Sequence, residues 1–310
     1  MLSRPNLEIS LEEVMSNDFC VLTDSDQVSE AQLLVTIQSA KEILIVDSEG
    51  QFGGIVRDIS VLSEMPPQME DVPIKYRIKN PNIRKQITDC IVNTGKKPIG
   101  EVFKLARPTR IFYKTQSFSA ALTELARLYK HYTVPRVIPI LNEDKTIAGI
   151  LTYKEVLEYI KNDSFLLKAK VKEFFSEKIP KEQIYTLLPD DTLAQADMAM
   201  EYLPIDYILI CDSNSHILGM INRLQVSALV HHLYPDIINM PLREIMKSVG
   251  SLEPFDSSQP IKEIISSFLE LGIGAVIAVN KTASQERPRG IITPWNVIQL
   301  FLLSFGFNSK

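Results

Sequence analysis

The chain has 310 residues, 45% hydrophobic and 23% charged, with 33 Lys and Arg against 38 Asp and Glu for a net charge of −5. That composition is globular, the charge gives no electrostatic ground for nucleic acid or an anionic membrane as partner, and the length predicts more than one core. Cys20, Cys90 and Cys211 are too dispersed for a metal clip or a dense disulfide framework, so a reducing cytoplasm is the expected setting.

Met1 to Ser10 lacks the basic and apolar regions of a leader. The stretch from Leu22 to Ala31 places polar turn residues before apolar residues three apart, the pattern of a capped amphipathic helix. An apolar strand (Ile43 to Asp47), a polar turn and a second strand (Phe52 to Val56) containing Gly54 follow. Between Met65 and Gly100, Pro66, Pro67, Pro73, Pro81 and Pro98 interrupt the pattern around one expected helix, Asn82 to Asn93. The whole reads as an insertion.

The helix-and-strand pattern then returns three times. Tyr113 to Ala121 precedes the strands Val137 to Leu141 and Thr146 to Leu151; Leu188 to Ala196 precedes Tyr207 to Cys211 and His216 to Ile221; Phe255 to Ile264 precedes Ala275 to Val279 and Gly290 to Ile292. The equivalent glycines, Gly54, Gly149, Gly219 and Gly290, lie 95, 70 and 71 residues apart, so the insertion lengthens only the first interval. The expected unit is β-α-β-β-α, used four times, in an α/β (α+β) chain. Strands such as Tyr207 to Cys211 are apolar on both faces, so neighbouring copies are expected to pack in pairs. The final run, Val297 to Phe307, is too short to span a bilayer and reads as a buried helix, so no membrane insertion is expected.

The four units resemble the cystathionine β-synthase (CBS) domain, a regulatory unit that occurs in tandem pairs called Bateman modules. The resemblance implies repeats at 8–65, 101–165, 168–235 and 240–308, with 66–100 as the insertion, and two modules associated side by side. It also implies adenine nucleotides or adenosyl compounds as ligands of the clefts. Four such units leave no length for a catalytic domain, so a non-enzymatic regulator of a separate protein is expected.

Nucleotide-binding copies of this family carry G-h-h-[ST]-x-x-D, with h an apolar residue. The hydroxyl caps a helix near phosphate and the acid takes the ribose hydroxyls. A helix N-terminus attracts phosphate, and a carboxylate accepts protons from a vicinal diol. The second copy keeps this chemistry best, with Thr152 and Glu155. The fourth offers Thr293 and Asn296, an amide in place of the acid. The third reads Asn222 and Gln225, and the first reads Arg57 and Ser60, where Arg57 can meet phosphate as a bidentate donor. The family often places a basic residue before the first strand of the pair; here Lys41 and Arg136 hold that position in the first two copies, against Asp206 and Gly274 in the others. The resemblance therefore directs the anionic ligand, AMP, ADP, ATP or S-adenosylmethionine, to Thr115, Arg136, Thr152 and Glu155, with Lys41 or Arg57 from the paired copy.

Each of these residues also has a plain structural reading: Thr152 as an N-cap, Glu155 as a complement to the helix dipole, Arg136 as a surface charge. The corresponding alternative function is an interaction scaffold with degenerate, ligand-free pockets. His231 and His232 lack acidic or Cys partners at ligand spacing, and His131 and His216 are expected in solvent, so no metal site is expected. Trp295, Phe301, Leu302 and Phe305, with Met198 and Met200, are expected in core or interface. By family, exposed helices of such modules pair, which makes a homodimer the expected assembly.

Overall fold

The computed structural model describes residues 4–37, 42–57, 61, 95–103, 105, 110–128, 137–175, 185–203, 205–223, 225–226, 229–230, 237–248, 254–270, 274–282 and 285–306. Four small sheets carry the chain, each with a short parallel strand beside an antiparallel hairpin. The first copy holds β1 (Cys20–Thr23), α1 (Val28–Ile37), β2 (Glu42–Val46) and β3 (Phe52–Arg57). After α2 (Ile99–Val102), the second copy holds β4 (Phe112–Tyr113), α3 (Phe118–Leu128), β5 (Ile138–Leu141), β6 (Ile147–Leu151) and α4 (Tyr153–Ile160). The third holds β7 (Thr186–Leu187), α5 (Leu193–Tyr202), β8 (Tyr207–Cys211) and β9 (Ile217–Asn222), with β10 (Lys247–Ser248) added at the β9 edge. The fourth holds β11 (Phe255–Asp256), α6 (Ile261–Glu270), β12 (Val276–Thr282), β13 (Gln285–Ile292) and α7 (Pro294–Ser304). The insertion helix expected at 82–93 lies outside the described residues.

The repetition extends to single bonds. Gly54, Gly149, Gly219 and Gly290 face Ile45, Ile140, Ile210 and Ala278 across their hairpins, and in each case the register slips one residue further on. Three hairpins turn through a residue at positive φ in the same place, Gly50 (78°), Lys145 (67°) and Ser215 (65°). Glycine enters that region freely and the other two do so at a cost. Before the first helix of each copy, a backbone N–H donates to a side chain three residues on: Thr23 to Asp26, Tyr113 to Gln116, Leu188 to Asp191 and Asp256 to Gln259. Those side chains hold the polar turn that the sequence places ahead of each helix.

The segment leading into each copy packs on the other copy of its pair. Residues 4–16, which precede β1, lie on the second copy, where Leu7 and Ile9 carbonyls accept from the first amides of α3, Ser119 and Phe118, at 2.9 and 2.8 Å. Residues 95–103 do the same for α1, through Gly95 and Lys97 carbonyls accepting from Ser29 and Val28. In the second half, Met240 and Ile238 carbonyls accept from Leu193 and Ala194, and the Ala169 carbonyl accepts from Ile261. Each strap thereby satisfies helix-start donors that would otherwise lack partners.

Within each pair the sheets meet along an apolar seam: Leu44, Ile55 and Val137 in the first, Leu209, Ile277, Val279 and Ile291 in the second. The first and third copies have cores of their own. The second and fourth share one, because α4 packs against α6 and α7. The apolar C-terminal run is α7, with Trp295, Val297, Ile298, Leu300, Phe301 and Leu302 buried in that shared core. Met200 is buried as core, whereas Met198 is 57% exposed.

Candidate functional site

Glycine at 149 is dictated by the strap. A Cβ there would stand 2.7 Å from the Ser16 carbonyl oxygen and 2.8 Å from the Met15 sulfur, and Ser16 bonds in both directions to Ile150 at 2.9 Å. Three residues on, Thr152 leaves β6 in an extended conformation (φ −121°) and caps α4. Its Oγ1 accepts from the Lys154 amide at 3.1 Å. The Glu155 carboxylate Oε2 turns back to accept from the Thr152 amide at 2.8 Å and from its hydroxyl at 2.5 Å. Thr152 and Glu155 thus form a capping box on a helix start whose dipole favours negative charge.

The same box recurs. In the fourth copy Asn296 Oδ1 accepts from the Thr293 amide at 2.7 Å and hydroxyl at 2.9 Å, with Pro294 opening the helix and Asn296 buried. In the third, the Asn222 amide donates to Gln225 Oε1 at 3.1 Å and the Gln225 amide to Asn222 Oδ1 at 2.8 Å. Arg223 there binds Asp206 at 3.2 Å and the Ile205 carbonyl at 2.7 Å. Asp206 stands where the first two copies carry Lys41 and Arg136, so the third copy holds an internal ion pair at that corner. In the first copy, Arg57 ends β3 opposite Glu42. Among the described residues only the second copy places a carboxylate in the box.

The two ends of the second sheet differ in chemistry. β6 runs antiparallel to β5, with Leu151 opposite Ile138, so Thr152 leaves the sheet where β5 begins. β4 runs parallel to β5, with Tyr113 opposite Leu141, so Thr115 follows at the far end. Four strand residues at about 3.3 Å each separate the two ends. The structure therefore brings Thr152 and Glu155 together and holds Thr115 apart from them. Lys41 and Arg136 lie outside the described residues. A residue that sequence reasoning passed over, Arg110, sits two residues before β4 at the Thr152 end, exposed, with its guanidinium carbon 4.9 Å from the Phe112 ring centroid. The signal was present: the equivalent positions of the other copies are Cys20, Tyr185 and Glu253, none of them basic.

At the turn end of the first pair, the hairpins join through a bridge between Gln51 and Thr146, with the Phe52 amide donating to the Lys145 carbonyl at 3.2 Å. In the second pair an open cleft of about 200 Å3 lies there, lined by Leu187, Leu188, Asp191, Cys211, Asp212 and Pro288 among others. Its two carboxylates bind their own turns: Asp191 accepts from the Leu188 amide, and Asp212 from the Asn214 and His216 amides. Hydrogen bonds from the His216 ring and amide hold the Asp212 carboxyl below its usual range. His216 is exposed, as expected, but paired to Asp212 at 2.9 Å. Burial, with Asp212 adjacent, pushes the Cys211 thiol up, which keeps it protonated at neutral pH. Such a cleft repels phosphate.

Trp295 is buried with α7 in the shared core. His131, His231, His232 and Cys90 lie outside the described residues. Among the described residues no group of three His, Cys, Asp or Glu is placed to hold a metal ion, and no helix is long and apolar enough to cross a membrane.

Comparison with known proteins bears on the same copy. Residues 116–162, which include α3, the hairpin, Thr152 and Glu155, match the family model of the CBS domain. No curated protein matches the chain. Protein MJ1225 from Methanocaldococcus jannaschii, described as a candidate archaeal homolog of g-AMPK, is similar in structure with a TM-score of 0.66 at 14% identity, over 94% of this chain and 100% of that one. An uncharacterized conserved protein from Pyrococcus horikoshii follows with a TM-score of 0.55 at 13% identity, over 94% of this chain and 99% of that one. At these identities the likeness is one of fold, and it runs through all four sheets. Residues 116–162 match the CBS domain, and the other three sheets of the chain repeat the topology of that segment.

Proposed function

We propose that the chain is a non-enzymatic regulatory protein, built as two Bateman modules, that binds an adenine nucleotide or adenosyl ligand and modulates a separate partner protein. The observation that carries the reading is the Thr152–Glu155 pair: a helix start with a carboxylate beside it, in the copy that matches the CBS family and, among the described residues, in no other. The α4 dipole and the cations Arg110 and Arg136 suit phosphate, and Glu155 suits a ribose diol. Lys41 and Arg57 are the candidates from the paired copy, while Thr293 and Asn296 offer a weaker version of the same corner. The fold shared with the candidate g-AMPK homolog supports the regulatory reading.

The scaffold reading has its own observation. Glu155 already serves the Thr152 amide, as Asn296 and Gln225 serve theirs, so the acid has a purpose without a ligand. The substitution Glu155→Gln separates the two, because an amide oxygen keeps the cap while the charge is lost. Titration calorimetry with AMP, ADP, ATP and S-adenosylmethionine should give a heat with at least one of them. Glu155→Gln should then weaken binding about tenfold or more, the loss of a charged hydrogen bond, with thermal stability nearly unchanged. No heat with any of the four, or equal affinity in the variant, leaves the scaffold reading standing.

A further inference from the structure

The first helix of each copy occupies an equivalent position in its unit, but not an equivalent environment. In the shared core, Leu122 of α3 and Ile265 of α6 are buried, and the position after each, Thr123 and Ser266, is exposed and polar. In α5 the same two positions are Asp197 and Met198. The pattern is inverted in α1, where Gln32 is buried and Leu33 61% exposed, and in α5, where the partly buried group is an acid and Met198 is 57% exposed, with Tyr202 one turn on at 77%. Glu201 is exposed between them.

Two features say what this face is suited to meet. From 185 to 226 the chain carries six acids, Asp197 and Glu201 among them, against Arg223 alone. Asp197 and Glu201, spaced four apart on one helix, repel each other, and burial together with Glu201 raises the Asp197 carboxyl above its usual range. A second copy of this chain is a poor occupant, since a twofold contact would set this acidic face against itself. The apolar anchors remain, and charge complementarity selects their partner.

We infer that α5 is a docking face for a partner protein segment that is cationic and amphipathic, with Met198 and Tyr202 received by its apolar side and Asp197 and Glu201 by its Lys or Arg residues. Exposed methionine and tyrosine are adaptable anchors, and acids flanking them steer a basic partner and reject an acidic one. The inference does not depend on nucleotide binding and assigns the third copy a role separate from the candidate cleft of the second.

A fluorescein-labelled helical peptide of alternating Leu and Lys blocks tests it on the full chain by anisotropy, beside the same peptide with Glu for Lys. The lysine peptide should bind and the glutamate peptide should not. Met198→Ala with Tyr202→Ala should weaken binding about tenfold, as should Asp197→Asn with Glu201→Gln. Glu143→Gln with Asp144→Asn, in an exposed turn of the second copy, should leave it unchanged. Equal loss in that control pair, or equal binding by all variants, marks general charge attraction and overturns the assignment. So does sedimentation of the wild-type chain as a dimer that Met198→Ala with Tyr202→Ala dissociates, because the occupant is then a second copy.

Discussion

Asp197 ties stability to pH. Its carboxyl is raised first by burial and then by Glu201, with Arg223 opposing. Between the unfolded carboxylate range near pH 4 and its raised native value, the folded chain holds a proton that the unfolded chain releases. Stability therefore falls as pH rises through that window. Asp197→Asn removes this dependence, so urea midpoints of variant and wild type should coincide at about pH 4 and separate by pH 7, with the variant the more stable. Equal midpoints at both pH values would show that Asp197 is not desolvated by the fold. At this scale the candidate site was half legible. Thr152 and Glu155 are three residues apart and their mutual geometry is local, so the motif was enough to join them. Thr115 was drawn to them by its place in the repeat, but Phe112–Tyr113 is a strand of two residues, too short to read, and without it the sequence does not tell one end of the sheet from the other. Arg110 was passed over for the same reason.

Among elements, the straps explain why two of the repeat glycines tolerate no side chain. Gly149 meets a backbone oxygen, Ser16 O at 2.7 Å, whereas the atoms nearest a Cβ at Gly290 are those of the Phe175 ring, the first at 2.5 Å. A ring can rotate, whereas the Ser16 carbonyl is held by its two-way bridge to Ile150, so the two substitutions should differ. Gly149→Ala should destabilise by about 1–3 kcal/mol by forcing the strap off β6, and Gly290→Ala by less. Thermal melts of the two variants decide it, and Gly290→Ala proving the more damaging would reverse the argument. The period of the glycines made the repeat readable, and the four hairpin registers agree with it. The exchange of straps was not readable. A repeat period fixes spacing along the chain but not which neighbour receives a segment, and the residues exchanged, such as Leu7 and Leu11, would be apolar on either copy.

On the scale of the whole molecule, the shared core makes the second and fourth copies one cooperative body while the third keeps its own. Phe301 is fully buried among residues of both, and Arg4 reinforces the join by donating to the Ser304 carbonyl at 2.9 Å, stacking on Phe305 and facing the buried Asp163 at 3.5 Å. Such packing between sequence-distant copies has no local signature: α7 reads as buried from its composition, but nothing in that composition selects α4 as the cover. Trp295, the sole tryptophan, lies in this core and reports on it alone. Phe301→Ala should cost about 3–5 kcal/mol and lower the tryptophan fluorescence midpoint, because the cavity opens in the body that Trp295 senses. Ile208→Ala, in the core of the third copy, should instead advance part of the helical circular dichroism transition while the tryptophan midpoint stays in place. If both variants shift the two signals together, the four copies unfold as a single unit, and the third copy is not the separable module that its own core implies.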